Sequence, residues 1–461
     1  MRTITALELA DCRRIAAAAE ITAAERNASV SIAVCDGGGH PLLLLRLDGA
    51  SPSSAAVATA KARMAALNGK PTSDQEAAIN GPRPALLQLA GVFQDGAVAM
   101  GGGLPLLHNG SCIGAIGVSG MTPDLDAAIA AAGAAAMALP RITSLGFTCR
   151  DAEATAAFYC RHLGFEPAGS FTLEPGAYAE LLGLPGSRLK LQRLRLGAET
   201  LELSQVLELG PGLQPGRAIP ADSRSCDLWF QHICIVVADL NAAAAPIQAL
   251  IAKGELRPIS STPQTLPSWN SAAAGIQAFK FHDPEGHCLE LLQFPAGKGD
   301  ARWHQPGGAS PFLGIDHSAI ANANTERSCR FYEELLGLRL AGDGVNSGPE
   351  QDQLDGLADT EVRITAHRCP QGAGIECLNY LQPTGGRALP ADQTSADLAH
   401  WQIRLEVSDL EGIASRVEAY GGSLVSEAIV ELPGHQGEAL GFRRALQIRD
   451  PDGHHLQLVC S

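Results

Sequence analysis

An α+β protein of three domains is predicted, and three observations carry the prediction. The chain has 461 residues, and at about 150 residues per domain that leaves room for about three. Its texture changes near Arg141, from an Ala- and Gly-rich stretch to strands and helices punctuated by Asp caps. The later part also repeats itself. Phe158-Tyr159 returns as Phe331-Tyr332 at an offset of 173, Gly216-Arg-Ala-Ile-Pro-Ala-Asp222 as Gly386-Arg-Ala-Leu-Pro-Ala-Asp392 at 170, and Asp283-Pro-Glu-Gly-His287 as Asp450-Pro-Asp-Gly-His454 at 167. The domains are placed at 1–138, 139–298 and 312–461, with a Pro/Gly-rich linker between Pro295 and Pro311.

The first domain reads as a helix over Leu7–Ala24, strands Val30–Asp36 and Pro41–Arg46 around the turn Gly37-Gly38-Gly39, a helix Ala55–Leu67, Gly-rich strands near 101–120 and a helix Asp124–Met137. Gly101-Gly-Gly-Leu-Pro105 lacks the Gly-Lys-Ser/Thr that reaches nucleotide phosphates, so it is no P-loop. From Arg141, a strand closes on Asp151 as N-cap and the helix Ala152–His162 follows, with Gly164 as its C-cap. The stretch Asp227–Leu240 repeats that pattern: Ile233, Ile235 and Val237 share one face, His232, Cys234 and Val236 the other, and Asp239 caps the next helix. Glu290, between Leu289 and Leu291, likewise opposes an apolar face. Each repeat thus holds two units of strand, helix and three strands. Such a βαβββ unit leaves one sheet face uncovered, so units must pack in pairs. The Asp-Pro-x-Gly segments suit the tight turns between the last two strands.

Composition narrows the partners. Lys+Arg 34 against Asp+Glu 49 gives a net charge of −15, which disfavours nucleic acid and anionic membranes. No apolar run approaches the ~18 residues of a membrane span, and the acidic N-terminal stretch does not read as a signal peptide. Twelve cysteines without CxxC spacing fit reduced thiols in a cytoplasmic protein. A small-molecule substrate and a homo-oligomeric state are expected.

Two resemblances follow. Val34-Cys-Asp-Gly-Gly-Gly-His40, Arg46-Leu-Asp48, Ala60-Lys61-Ala62, Pro71-Thr72, Gly101–Pro105 and Gly114-Ala-Ile-Gly-Val-Ser-Gly120 resemble the GlcG/HbpS family, whose members are described as heme-binding or heme-degrading and tend to oligomerise. Met121-Thr-Pro-Asp-Leu-Asp126 departs from it. For heme, the resemblance leaves His40 and His108 as the ligands within reach, each beside turn residues. Residues 141–461 resemble two vicinal oxygen chelate (VOC) domains, of the glyoxalase/bleomycin-resistance/extradiol-dioxygenase superfamily, each of paired βαβββ modules. In that superfamily a pair of modules curls into a cup, with a metal held by the first and last strands of both.

The resemblance implies Ser144, Glu202, His232 and Glu290 for the first cup, and His317, Glu376, Gln402 and Gln457 for a weaker second one. Glu202, His232 and Glu290 would bind a divalent ion (Zn, Ni, Mn, Mg or Fe), with Glu202 or Glu290 as general base. One imidazole and two carboxylates leave positions for a substrate's paired oxygens, and buried carboxylates need a cation. The expected activity is that of a metal-dependent lyase or isomerase on a small oxygenated organic molecule. The alternative is a protein that sequesters heme or a small molecule without turnover. Ring cleavage of the extradiol type comes third, because neither cup so assigned holds a His, His, Glu triad. His282, His287, His454 and His455 flank turns and are expected in solvent, with His304 in the linker. Cys234 and Cys288 are read as small fillers beside His232 and Glu290, and Trp229, Phe230 and Trp401 as pocket wall or core.

Overall fold

The computed structural model describes residues 6–92, 96–108, 111–137, 140–304, 310–369 and 372–460. The chain divides into two compact units, Met1–Leu139 and Pro140–Ser461.

In the first unit the helix Leu9–Glu25 opens on a capping box between Glu8 and Asp11. Then come β1 (Ser31–Asp36), β2 (Pro41–Arg46), the helix Pro52–Asn68, β3 (Gly103–His108), β4 (Ser111–Ser119) and the helix Pro123–Ala136. The sheet order is β2-β1-β4-β3. Alternation along β1 divides the core. Ile32 and Val34 pack with Ile15, Ala19 and Ile129 on one face, while Ala33 and Cys35 meet Ala58, Ala62 and Ala65 on the other. Gly117 permits that second approach, since a Cβ there would lie 2.1 Å from the Ala58 carbonyl oxygen. Between the helices, buried Lys61 Nζ donates to Asp126 at 2.8 Å and to the Val118 carbonyl at 3.0 Å.

The second unit contains four modules. Module I has β5 (Arg141–Thr148), the helix Ala152–His162, β6 (Glu166–Leu173), β7 (Arg188–Leu196) and β8 (Glu199–Glu208). Module II has β9 (Gln231–Val237), the helix Leu240–Ala252, the short β10 (Arg257–Pro258) and β11 (Gln264–Thr265), then β12 (Gln277–His282) and β13 (Cys288–Gln293). Module III has β14 (Phe312–Ala321), a helical stretch, β15 (Arg339–Ser347), β16 (Glu361–Arg368) and β17 (Gly374–Gln382). Module IV has β18 (Trp401–Glu406), the helix Leu410–Ala414, the short β19 (Ser423–Leu424) and β20 (Val430–Glu431), β21 (Arg444–Arg449) and β22 (His455–Cys460). The caps lie where the sequence places them: Asp151 accepts from Glu153 and Ala154 N–H at 3.0 Å, and Asp239 from Ala242 N–H at 3.0 Å.

The modules do not pair within each repeat. One sheet runs β10-β12-β13-β9-β14-β17-β16-β15, joining modules II and III, and the other β19-β21-β22-β18-β5-β8-β7-β6, joining modules IV and I. Antiparallel pairing of β9 with β14 and of β18 with β5 makes the seams. The stretches 139–298 and 312–461 therefore each contribute half of both sheets. The repeated Gly-Arg-Ala-x-Pro-Ala-Asp loops clasp this exchange. Arg217 N–H donates to Asp397 at 2.6 Å, and Arg387 N–H to Asp227 at 2.9 Å. Their guanidinium groups close on the same two carboxylates at 2.8 Å and 2.7 Å. Each leading glycine admits the turn opposite it: a Cβ on Gly216 would lie 1.8 Å from Ala396 O, and one on Gly386 1.8 Å from Cys226 O.

The turn histidines are buried, against expectation: His282 9%, His287 0%, His454 5% and His455 2% exposed. The turns fold inward because their Asp side chains face the backbone. Asp283 accepts from the N–H of Glu285, Gly286 and His287 at 2.8–2.9 Å. The His287 ring spans Asp283 and the Thr148 carbonyl of module I, both at 2.9 Å. His304 is exposed.

Candidate metal centre

The exchange of modules redistributes the candidate residues. His232 on β9 and Glu290 on β13 meet His317 on β14 and Glu376 on β17, not Ser144 and Glu202. His232 Nε2 lies 3.2 Å from Glu290 Oε2, and His317 Nε2 lies 3.3 Å from Glu376 Oε2 and 3.9 Å from Glu290 Oε2. Donor atoms of His232, Glu290 and His317 all fall within 4.8 Å of one another. The four side chains line a cavity of about 860 Å³. The expected grouping is corrected on both sides: Ser144, Glu202, Gln402 and Gln457 belong to the cup of modules I and IV. The physical reason is that strand alternation fixes which face a side chain takes, while the partner across the seam depends on which modules pair.

Surrounding groups hold these donors in place. His317 gives its other nitrogen, Nδ1, to Asp316 at 2.9 Å, and Asp316 is also gripped by Arg368. An imidazole steadied by a carboxylate on its far side is the arrangement metal-binding histidines use. Lys280 Nζ sits 4.0 Å from Glu290 and donates to Asp355 at 2.7 Å, which Gln351 and Tyr380 also hold, at 2.7 and 3.0 Å. Sequence reading missed Lys280, Asp316, Asp355 and Arg368. Only Lys280 carried a signal, as a charge inside the apolar strand Ala278-Phe-Lys-Phe281.

Electrostatics suit a cation. Burial pushes His232 down to about 4, so its ring is neutral and free to donate a lone pair at neutral pH. Burial alone would raise Glu290, but Lys280, then His232 and His317, outweigh it and bring the carboxyl down to about 2. Burial likewise opposes charge on His317, yet Glu376 and Asp316 raise its value. Two imidazole nitrogens and two carboxylates therefore converge, with Glu290 disposed to ionise. His232 Nδ1 is buried without a hydrogen-bond partner among the described residues, so nothing fixes that ring from behind. The donor set fits a divalent ion of the zinc, nickel, manganese or iron type. It also removes the ground on which ring cleavage was placed third, since two His and a Glu do share a cup. The second Glu adds a fourth protein donor and leaves fewer open positions than a facial triad has.

The cup of modules I and IV has lost this character. Ser144 replaces His317, Gln402 replaces His232 and Gln457 replaces Glu290 at corresponding positions of the fold. Arg404, at the position of Cys234, fills the space. Its guanidinium donates to Glu202 at 2.9 and 2.5 Å and to Gln457 at 2.7 Å, while Arg193 reaches Glu202 at 2.6 Å. Burial would raise Glu202, but Arg404 and Arg193 lower it. The expected role of Glu202 as metal ligand and general base is thus corrected: two guanidinium groups occupy its oxygens. Arg404 was legible as the one charge in Trp401-Gln-Ile-Arg-Leu405, on the same face as Gln402.

Cys234 and Cys288 are buried, and burial raises both thiols, Cys288 to about 12, in keeping with filler roles. Trp401 and Phe230 are buried. Trp401 packs on Phe147 at 4.8 Å, as core, and the Trp229 ring lies under Arg387 at 4.7 Å. In the first unit the His40 ring is largely exposed and held by Asp36 at 3.1 Å. Asp36 takes Nδ1 and leaves Nε2 open, but the ring's exposure is a poor fit for an axial heme ligand, which sits over an apolar slot. The His108 side chain lies outside the described residues.

Fold and site together define a pair of βαβββ cups, one with a convergent N/O donor set, joined in sequence to an α/β sandwich. Residues 7–135 match the family described as "Haem degrading protein HbpS-like", and residues 314–458 the "Glyoxalase/Bleomycin resistance protein/Dioxygenase superfamily". Protein GlcG of Escherichia coli (strain K12) is 39% identical over 119 residues, 26% of this chain and 85% of GlcG. A crystal structure of Klebsiella pneumoniae protein ORFY is 33% identical, covering 30% of this chain and 95% of that one at a TM-score of 0.29. Glyoxalase I from Zea mays is 16% identical, covering 69% and 92% at a TM-score of 0.44. The chain belongs to the GlcG/HbpS-like family through its N-terminal domain and carries a glyoxalase-superfamily domain in its C-terminal part. Among the described residues no helix is long and apolar enough to cross a membrane.

Proposed function

We propose that the chain is a metal-dependent lyase or isomerase acting on a small oxygenated organic molecule, with the ion held by His232, Glu290, His317 and Glu376. The observation that carries this reading is the convergence of those four donors at one cavity of about 860 Å³. A divalent ion bound there supplies Lewis acidity to a substrate's oxygens. Within the chain, Glu376 is the better placed base. It is 22% exposed toward the cavity, whereas Glu290 is 7% exposed and tied to His232. Glu376 would detach from the donor set to take a proton α to a carbonyl, its carboxylate becoming a neutral carboxyl. Arg339 and Arg368 stand directly opposite each other on β15 and β16, and both line the cavity. Like charges so placed repel. Arg368 is committed to Asp316, while Arg339 has no partner among the described residues, so a substrate carboxylate fits between them.

A cytoplasmic location is supported by the twelve cysteines, all unpaired. Leu42 and Leu44, exposed on edge strand β2, support a homo-oligomer formed through the first unit. The rival reading, sequestration without turnover, predicts ligand binding but no product. Elemental analysis should find a divalent ion in the cup, and a screen of enolisable 2-oxo and 2-hydroxy acids with the metal-loaded protein should show turnover. Turnover that persists in metal-free protein would overturn the reading.

A further inference from the structure

We propose that Cys329, Glu333 and His367 form a second cation site, of the zinc type, between the helical stretch of module III and the outer face of its sheet. The site is separate from the cup and does not depend on it. One donor atom from each residue lies within 4.8 Å of the others. A tetrahedral zinc site would draw them in by about 1 Å. Thiolate, carboxylate and imidazole together are a donor set that zinc favours.

Three observations point to a ligand here. His367 is fully buried, yet its Nε2 makes no hydrogen bond among the described residues; Glu333 Oε1 lies 3.6 Å from it, while Nδ1 faces Cys377 Sγ at 3.9 Å. An unmatched buried nitrogen is costly, by about 1–3 kcal/mol, and a cation on Nε2 would satisfy it. The helix is also locally rewound. It runs as α over Thr325–Cys329 and as π over Arg330–Leu335, so the irregular turn adjoins one donor and carries another. π turns are rare and concentrate at functional sites. Lastly, module I builds the same contact with a single thiol and neither carboxylate nor imidazole. At the offset of 173, Ala156, Cys160 and Leu194 replace Cys329, Glu333 and His367, on the regular helix Ala152–His162 and strand β7. The fold therefore does not require the polar cluster.

Binding would release the Cys329 thiol proton to solvent, after which one thiolate and one carboxylate balance a divalent charge. Glu333, 34% exposed, gives the ion a route in from the surface.

The test uses full-length protein, stripped of metal and titrated with Co2+. A thiolate ligand gives a near-ultraviolet sulfur-to-cobalt band, and two ions per chain are expected. Cys329→Ser and Glu333→Gln, both near-isosteric, should each lower the stoichiometry by one; the serine change should abolish the band, with circular dichroism confirming the fold. His317→Ala should lower the stoichiometry by one and keep the band. A single ion that retains the band would uphold this site and sink the cup instead. The proposal is overturned if wild type shows no band, if the band survives Cys329→Ser, or if it depends on Cys234, the cup's own thiol.

Discussion

The two cups share a pleat, a seam and four corresponding donor positions, yet one gathers two imidazoles and two carboxylates while the other encloses an arginine. In the cup of modules II and III, Glu290 and Glu376 face a space suited to a mobile cation. In the cup of modules I and IV, the remaining carboxylate, Glu202, is neutralised by Arg404, a cation attached to the chain itself. A buried carboxylate needs a positive partner in either case, and the difference lies in whether that partner can leave. An exchangeable ion keeps open positions for substrate. A guanidinium packed over Phe442 at 4.9 Å does not. The module fold persists either way, so the donors of the first cup are not there to hold the sheet together.

The largest effect should come from breaking the asymmetry at its functional end. His232→Ala and His317→Ala should each remove the cup's ion, one per chain, and abolish turnover, whereas Glu202→Gln should leave both intact, as elemental analysis and rate measurements would show. Loss of metal in the Glu202 variant would mean the chemistry has been placed in the wrong cup. Next, Arg404→Leu leaves Glu202 buried with only Arg193. It should cost about 3 kcal/mol in urea unfolding, and Arg404→Leu with Glu202→Leu should recover most of that. A single variant as stable as wild type would show that the arginine is no substitute cation. Arg339→Ala should raise KM for a carboxylate substrate by about tenfold and leave kcat nearly unchanged; an equal loss in kcat would place it in the transition state instead.

The smallest effect concerns the turns. Asp283 Oδ2 accepts from the Tyr159 hydroxyl and faces the His287 ring, whereas Asp450 Oδ2 accepts from the Tyr332 hydroxyl at 2.9 Å. Burial opposes charge on His287, but Asp283 outweighs it and raises its value. A raised histidine contributes stability that is complete below its unfolded value of about 6.5 and is lost as pH rises through the folded one. Burial opposes charge on Asp283 too, but His287 lowers it, so its share is lost as pH falls toward the acid range. The melting-temperature gap between wild type and His287→Gln should thus be widest between about pH 4 and 6.5 and narrow above. A gap that is constant with pH would show that the ion pair contributes nothing.

Much of this was legible in the residues. Period-two alternation set His232 and Glu290 opposite apolar faces, the repeat offset from His232 assigned Gln402, the Asp caps marked helix starts, and three repeated segments revealed the duplication. Which module faces which was not legible, because alternation constrains a strand and its faces but says nothing of the seam. The loop Gly216–Asp222 and its copy held the missing information. They were visible as a repeat, but their meaning lay in contacts with Asp397 and Asp227, far away in sequence. His287 was missed for a related reason: a polar ring beside a turn looks solvated until a carboxylate four residues back is seen to take its nitrogen.

That reciprocal clasp has a consequence for how this protein can be taken apart. Each repeat supplies half of either cup, so the pair behaves as a dimer written on one strand, with the linker fixing the stoichiometry and a high effective concentration. Cut in the linker, the two fragments would complement each other only in proportion to their encounter. The C-terminal fragment alone, pairing with a copy of itself, would instead assemble His317 and Glu376 with Gln402 and Gln457, a mixed cup that the intact chain never forms. Fusion thus removes concentration dependence and excludes that assembly. It also frees the two cups to diverge, one keeping its exchangeable charge and the other carrying its charge for good.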